Sequence, residues 1–246
     1  MELIDKTIRE LRSFVDGLPG RRVETPSSLW PAGGPRNIVL KEDVGLELGS
    51  PRDESVACIL WSEDVSIIKD NTLTLVGPDF KESTGSNLPF GKVVLVGVEG
   101  FNEDNIYERC SELDHLRFNI DLEGFMLKAA SQYQREWCRI SRQALSRGFS
   151  AGHLTEALMK ELRSVPYVRS AEIIYVTTSP EDVRKLREIV NPAMRLIAAM
   201  DKMAKEMDFD CDECEFEDVC DEAEGLRVMR DRLKKKAAER GERPHG

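Results

Sequence analysis

The sequence contains no stretch of about eighteen apolar residues, so no membrane-spanning helix is expected. Its opening, "MELIDKTIRELRSF", lacks the basic, apolar and small-residue order of a secretory signal, and a cytoplasmic location is expected. The G-x-S-x-G, Walker-type and G-x-G-x-x-G patterns are absent, which removes the usual sequence evidence for a nucleophile elbow, a P-loop or a dinucleotide fold. The three histidines, His115, His153 and His245, show neither metal nor catalytic spacing and read as surface or helix-packing residues. Positive charge is also scarce. Against 45 Asp and Glu there are 35 Lys and Arg, for a net charge of −10. A nucleic-acid partner is not expected, because such binding rests on neutralising phosphates.

What remains is ordinary for a soluble globular chain: 41% hydrophobic and 33% charged residues. A length of 246 residues allows one large domain, or a medium domain with an appendage. Apolar residues at Ile4, Ile8, Leu11, Phe14/Val15 and Leu18 recur at the spacing of one helix face, and "GLPG" ends that helix. Residues 19–36 are rich in Pro, Gly and Ser and read as a long connection, anchored to the body by Trp30 or offering that ring to a ligand. Strands are expected at 37–40, 44–48, 55–61, 72–77 and 92–98. "VACILW" and "VVLVGV" are continuously apolar, as strands covered on both faces tend to be.

Residues 102–134 read as helical with a possible break at Gly124, followed by a short buried strand at 137–140. Ser141 is placed to cap "SRQALSRG". A helix over "SAGHLTEALMKELRS" and a strand at 170–178 come next. "SPED" at 179–182 then starts a helix running toward residue 207, which Pro192 is expected to kink or restart. Strands first, then alternating helices and strands, indicate an α/β fold, with a mixed-sheet α+β arrangement as the variant. The expected organisation is a helix and connecting loop at 1–36, a core at 37–207, and a cysteine-rich segment with a basic helix at 208–246.

Six cysteines in a cytosolic chain of this length do not indicate a disulfide framework. Cys58, Cys110 and Cys138 are scattered. Cys211, Cys214 and Cys220 are clustered in "DFDCDECEFEDVCDE", where nine of fifteen residues are acidic. A CxxC turn presents two thiolates on one side, and a third a few residues on can close on the same centre; thiolates suit zinc and iron–sulfur clusters. A cuboidal cluster takes four ligands. The fourth would come from Cys58, Cys110, Cys138, a non-cysteine group or a second chain. An iron–sulfur cluster is preferred to zinc, and a purely structural staple is the plain alternative. Downstream, residues 226–240 carry seven Lys or Arg against two acids. They read as a solvated helix that balances the acidic stretch.

"QYQREWCRISRQALSRG" (132–148) places Arg135, Arg139, Arg142 and Arg147 around Trp137. Arginines beside an indole suit a ligand with phosphates and a flat ring, whereas the plain reading is a core tryptophan with arginines paired to nearby acids.

The order of "VGLELGSPRDESVACILW", "DNTLTLVGPDF", "SNLPFGKVVLVGV", "EGFMLKAASQYQREWCRIS", "ALSRGFSAGHL" and "EIIYVTTSPEDVRKL" resembles the middle domain of acetyl-CoA synthase, the β subunit of the CO dehydrogenase/acetyl-CoA synthase complex. The resemblance covers about residues 40–200. It implies the middle-domain fold, a role for Trp137 and Arg139 in handling CoA with Arg135 and Arg142 close by, and a protein partner of the CO dehydrogenase/acetyl-CoA synthase type. The Cys-Gly-Cys that holds nickel in that family does not occur in this sequence, so the nickel chemistry is not carried over. The expectation is an accessory protein of anaerobic one-carbon metabolism that binds one [4Fe–4S] cluster through Cys211, Cys214 and Cys220 and assists a partner enzyme; Cys138, within the stretch that resembles the CoA-handling one, is favoured as the fourth ligand, with Cys110 next. The competing expectations are a CoA- or acyl-CoA-binding enzyme or module, and a structural subunit with a metal staple.

Overall fold

The computed structural model describes residues 2–205, except 27–28, 103–104 and 132–134. The cysteine-rich segment and the basic helix expected at 208–246 lie outside the described residues. In chain order the elements are α1 (Glu2–Gly17), β1 (Arg21–Glu24), β2 (Val44–Leu48), β3 (Ser55–Ser62), β4 (Thr72–Val76), β5 (Asn87–Leu88) and β6 (Phe90–Val98). After these come α2 (Ile106–His115), β7 (Phe125–Ser131), β8 (Arg135–Ser141), α3 (Arg142–Ser146), α4 (Ala151–Ser164), β9 (Val168–Val176) and α5 (Pro180–Lys205).

The strands form two mixed sheets, so the fold is α/β as expected. The larger has the order β1-β4-β9-β6-β3, with β4–β9 and β6–β3 parallel and the other pairs antiparallel. The smaller has the order β5-β2-β8-β7, in which β8 is antiparallel to both neighbours. Every residue of β3 and β6 is buried, which explains their unbroken apolar sequences. Helices α1 and α5 pack on each other and on β3, while α4 packs on β9 and the smaller sheet approaches β3 through β8.

Helix α1 buries Ile4, Ile8, Leu11 and Val15, the stripe read from the sequence. Its polar side is tied down as well: Arg12 donates to both carboxylate oxygens of Glu172, a buried residue of β9, and to the Ile67 carbonyl. Helix α5 begins as expected, with Ser179 Oγ accepting from the Asp182 N–H. It continues through Pro192 to Lys205 as one helix and does not restart there.

Three expectations are corrected. Residues 37–40 form no strand but an extended loop: the N–H groups of Asn37 and Ile38 are spent locally on the Gly34 and Arg36 carbonyls, and the loop is tied down by the side chain of Asn37. Its Nδ2 donates to the carbonyls of Leu122 and Phe125, and its Oδ1 accepts from the Gly124 N–H. The helix expected over 102–134 stops at His115, runs on as a tight 3-10 turn to Asn119, and gives way to strand β7. Gly124 makes that change possible: its φ is +75°, and a Cβ there would fall 2.5 Å from Ser141 Oγ. Within the expected connection at 19–36, Arg21–Glu24 pairs with β4 as an edge strand.

The turn after β4, "GPDFKE", is held by a capping box. Asp79 accepts from the Phe80 N–H, and Glu82 accepts from the Asp79 N–H. Arg22 of β1 grips the same Glu82 carboxylate with two nitrogens, at 2.9 and 2.8 Å. The Arg22 guanidinium, followed by the Asp79 N–H, holds the Glu82 carboxyl at about 2, below its ordinary 4.5. A folded-state pKa below the unfolded one gives stability that is complete above the unfolded value and lost as pH falls through the folded value. Glu82→Gln is therefore expected to lower the melting temperature at pH 7, with the gap closing between about pH 4.5 and 2. Thermal melts of both proteins across that range check this; a gap that does not change with pH would contradict it.

Candidate functional site

Strand β8 alternates strictly. Glu136, Cys138 and Ile140 face inward and are buried, whereas Arg135, Trp137, Arg139 and Ser141 are half-buried on the open face of the small sheet. That alternation, written in "REWCRIS", puts the indole and two arginines on one surface. Trp137 is flanked by two cations: Lys128 Nζ lies 4.8 Å and Arg139 Cζ 5.5 Å from the ring centroid. Lys128 reaches the ring from an irregularity in the β7–β8 ladder between Leu127 and Ala129. Arg139 is aimed by Glu47 of β2, whose Oε1 accepts from its Nε at 2.8 Å. Arg135 donates to the carbonyls of Ser50 and Asp53, both at 3.0 Å. Trp137 Nε1 is buried and has no acceptor among the described residues.

In the 132–148 stretch the arginines do have partners, but Trp137 is not a core residue, and among the described residues Arg135 bonds only carbonyl oxygens. Arg142 does likewise, donating to the Glu42 carbonyl at 2.7 Å. The positive charges of Arg135 and Arg142 have no carboxylate partner among the described residues. Such an arrangement can hold a flat ring by stacking and an anion by charge.

The inward face of the same strand carries the least expected group. Glu136 accepts two bonds of 2.5 Å from Lys92 of β6, and Arg117 Nη1 lies 3.6 Å from it. Arg117 also donates to Asp114 at 2.9 Å, and all four side chains are buried. Burial raises the Asp114 carboxyl, against the opposing pull of Arg117. A cavity of about 10 Å³ among Cys58, Lys92, Arg117 and Glu136 has room for one water at most. Sequence reading missed Glu136, although a charged residue at an inward position of an alternating strand was the available signal.

Cys138 is completely buried between Leu48 and Leu127 on the neighbouring strands. Cys58 and Cys110 are buried too. Burial pushes the Cys58 thiol up to about 12 and raises those of Cys110 and Cys138 further. Among the described residues no three His, Cys, Asp or Glu side chains are grouped to hold a metal. Cys211, Cys214 and Cys220 lie outside the described residues.

The remaining expected groups are structural in part. Trp30 anchors its loop, as expected, by donating Nε1–H to the Glu123 carbonyl, and it packs edge-on against Phe149 and His153. His153 Nδ1 accepts from the Ser150 N–H at the start of α4, and burial lowers its pKa. Ser141 caps α3 by accepting from the Ala144 N–H. Helix α3 itself lies on Gly45, where a Cβ would meet the Arg142 Cα at 2.9 Å.

The fold is mixed α/β, and the outward face of its small sheet carries a tryptophan flanked by two cations. The sequence model of the CO dehydrogenase/acetyl-CoA synthase complex beta subunit matches residues 34–183, and the chain belongs to that family. It is similar to the acetyl-CoA decarbonylase/synthase complex subunit beta of Methanopyrus kandleri, 28% identical over 171 residues that cover 66% of this chain and 34% of that protein. Subunit beta 2 of Methanosarcina acetivorans is 24% identical, and subunit beta 1 of Methanosarcina thermophila 25%, each over 69% of this chain and 34% of the relative. The chain thus spans about a third of the length of these relatives. Among the described residues no helix is long and apolar enough to cross a membrane.

Removing one member of a buried ion pair strands the other, at a cost of about 3–5 kcal/mol, whereas replacing both with apolar groups is often neutral. Lys92→Met is expected to destabilise by about that amount, and Lys92→Met with Glu136→Leu to recover much of it. Urea denaturation of the three proteins measures this; equal stability of wild type and Lys92→Met would show that the pair is dispensable.

Proposed function

We propose that this chain is an accessory protein of CO dehydrogenase/acetyl-CoA synthase-type metabolism that binds CoA or a CoA thioester on the open face of its small sheet. The observation that carries this reading is Trp137, partly exposed between Lys128 and Arg139. An adenine ring or thioester arm would lie against the indole, and Arg139, Arg135 and Arg142 would face the phosphates. Membership of the family supports a protein partner of the CO dehydrogenase/acetyl-CoA synthase type and a place in anaerobic one-carbon metabolism. Indole fluorescence titrated with CoA tests the ligand. Saturable quenching is expected, abolished by Trp137→Phe while Trp30 and Trp61 remain, with affinity about tenfold weaker in Arg139→Ala, the scale of one lost charge-assisted contact. No binding at millimolar CoA would remove this reading.

In the same proposal Cys211, Cys214 and Cys220 hold one [4Fe–4S] cluster, which would serve electron transfer to the partner or assembly of its metal centre. The burial and raised pKa of Cys138 favour a packing role for that thiol. The fourth ligand is then drawn from a carboxylate of the acidic segment or from the partner. Protein purified without oxygen is expected to carry about four irons and four sulfides per chain and to bleach on reduction. One zinc with no iron would replace the cluster by a structural staple.

A further inference from the structure

Beside the tryptophan face lies a cleft of about 460 Å³ that the reading of the sequence did not anticipate. One wall is the loop around Gly33 to Val39; the other is α3 with the Glu123–Gly124 turn. Three arginines line it. Arg36 is exposed and has no side-chain partner among the described residues. Among the described residues Arg142 donates only to the Glu42 carbonyl. Arg147 donates to Glu123 at 2.7 Å, and its guanidinium lies 5.0 Å from the centroid of the Trp30 ring. The opposing charges in the lining are Asp43 and Glu123, and the Asp121 carboxylate stands behind the loop wall with its oxygens turned to backbone N–H groups, so the three guanidiniums are the positive charge a ligand in the cleft would meet. Ile38 is 66% exposed on its rim and supplies an apolar edge.

The cleft is built rather than incidental. Its loop wall is fixed by Asp121, which accepts from the N–H groups of Gly33 and Gly34, and by the three Asn37 side-chain bonds across to Leu122, Gly124 and Phe125. The packing there is so close that a Cβ on Gly33 would fall 2.1 Å from the Asn37 Cγ. A fixed wall avoids the ordering cost that a mobile loop would bring to binding. The volume suits a small-molecule ligand, and arginines with unspent donors suit phosphate oxygens. Moreover, Ser141 lines the cleft and lies on β8 four residues from Trp137, about 13 Å at the rise of a strand. Met126, paired with Arg139 on the adjacent strand, bridges the interval toward Gly124. An extended CoA molecule spans that distance.

We propose that this cleft seats the phosphate-bearing end of the ligand through Arg36, Arg142 and Arg147, while the rest of the molecule runs along β8 to Trp137. This rests on the CoA reading above and adds to it the orientation of the ligand and two residues, Arg36 and Arg147, outside the tryptophan face. Calorimetric titrations of the full chain with CoA, adenosine 3′,5′-bisphosphate and pantetheine test it, using wild type, Arg36→Ala and Arg147→Gln. Adenosine bisphosphate is expected to bind wild type. Each variant should weaken CoA and the bisphosphate about tenfold and leave pantetheine unchanged. Arg36 is exposed, so its replacement leaves the fold intact, which a thermal melt checks.

If CoA binds wild type and both variants equally, or binds where the bisphosphate does not, the cleft assignment is overturned and the tryptophan-face reading stands. If the bisphosphate binds and is lost in Arg36→Ala while CoA fails to bind, the cleft stands as a phosphate site and the CoA reading falls. Failure of both ligands overturns both.

Discussion

The pairing of Lys92 with Glu136 is the constraint on which the rest of the arrangement depends. It joins β6, near the middle of the large sheet, to β8, near the middle of the small one, through two short bonds in the interior. An isolated carboxylate would not be tolerated there, so the two strands can sit only where the charges meet. Because β8 has a period of two, fixing Glu136 inward fixes Arg135, Trp137 and Arg139 outward. A one-residue slip would exchange the two sets and bury the arginines. The register of β8 against β2 and β7 places Glu47 opposite Arg139 and Lys128 near the indole.

The candidate site is therefore a consequence of the core rather than an addition to it. Gly124 turns the chain into β7, and Asn37 ties the incoming loop across that turn. The same contacts make one wall of the cleft. A polar residue in a loop thus does structural and site-forming work at once, which is common where loops are held on a rigid scaffold.

Much of this was legible in the residues. The stripe of α1, the buried runs of β3 and β6 and the caps at Ser141 and Ser179 follow from local pattern, and the structure keeps them. β7 was not legible. In "FMLKAAS" the middle five residues, Met, Leu, Lys and two Ala, are good helix formers, and pairing with β8 overrides that preference. "NIVL" has strand chemistry, but the N–H groups of Asn37 and Ile38 are spent on local carbonyls, and the Asn37 side chain fixes the segment as a loop across the 122–125 turn. At the site, Trp137 and its neighbouring arginines were visible because they are contiguous in sequence. Arg36, Lys128 and Glu47 reach the same region from distant segments, and no spacing in one sequence brings them together. Cys138 attracts attention by its place in the stretch that resembles the CoA-handling one, yet the alternation that turns Trp137 outward is what buries it.

Hydrogen–deuterium exchange of the whole chain, with and without saturating CoA, tests the central claim most directly. If the small sheet and its cleft form one ligand site, exchange should slow in residues 33–43, 123–128 and 135–147 and stay unchanged along α1 and α5. Protection confined to other segments, or none at all with CoA bound, would contradict it.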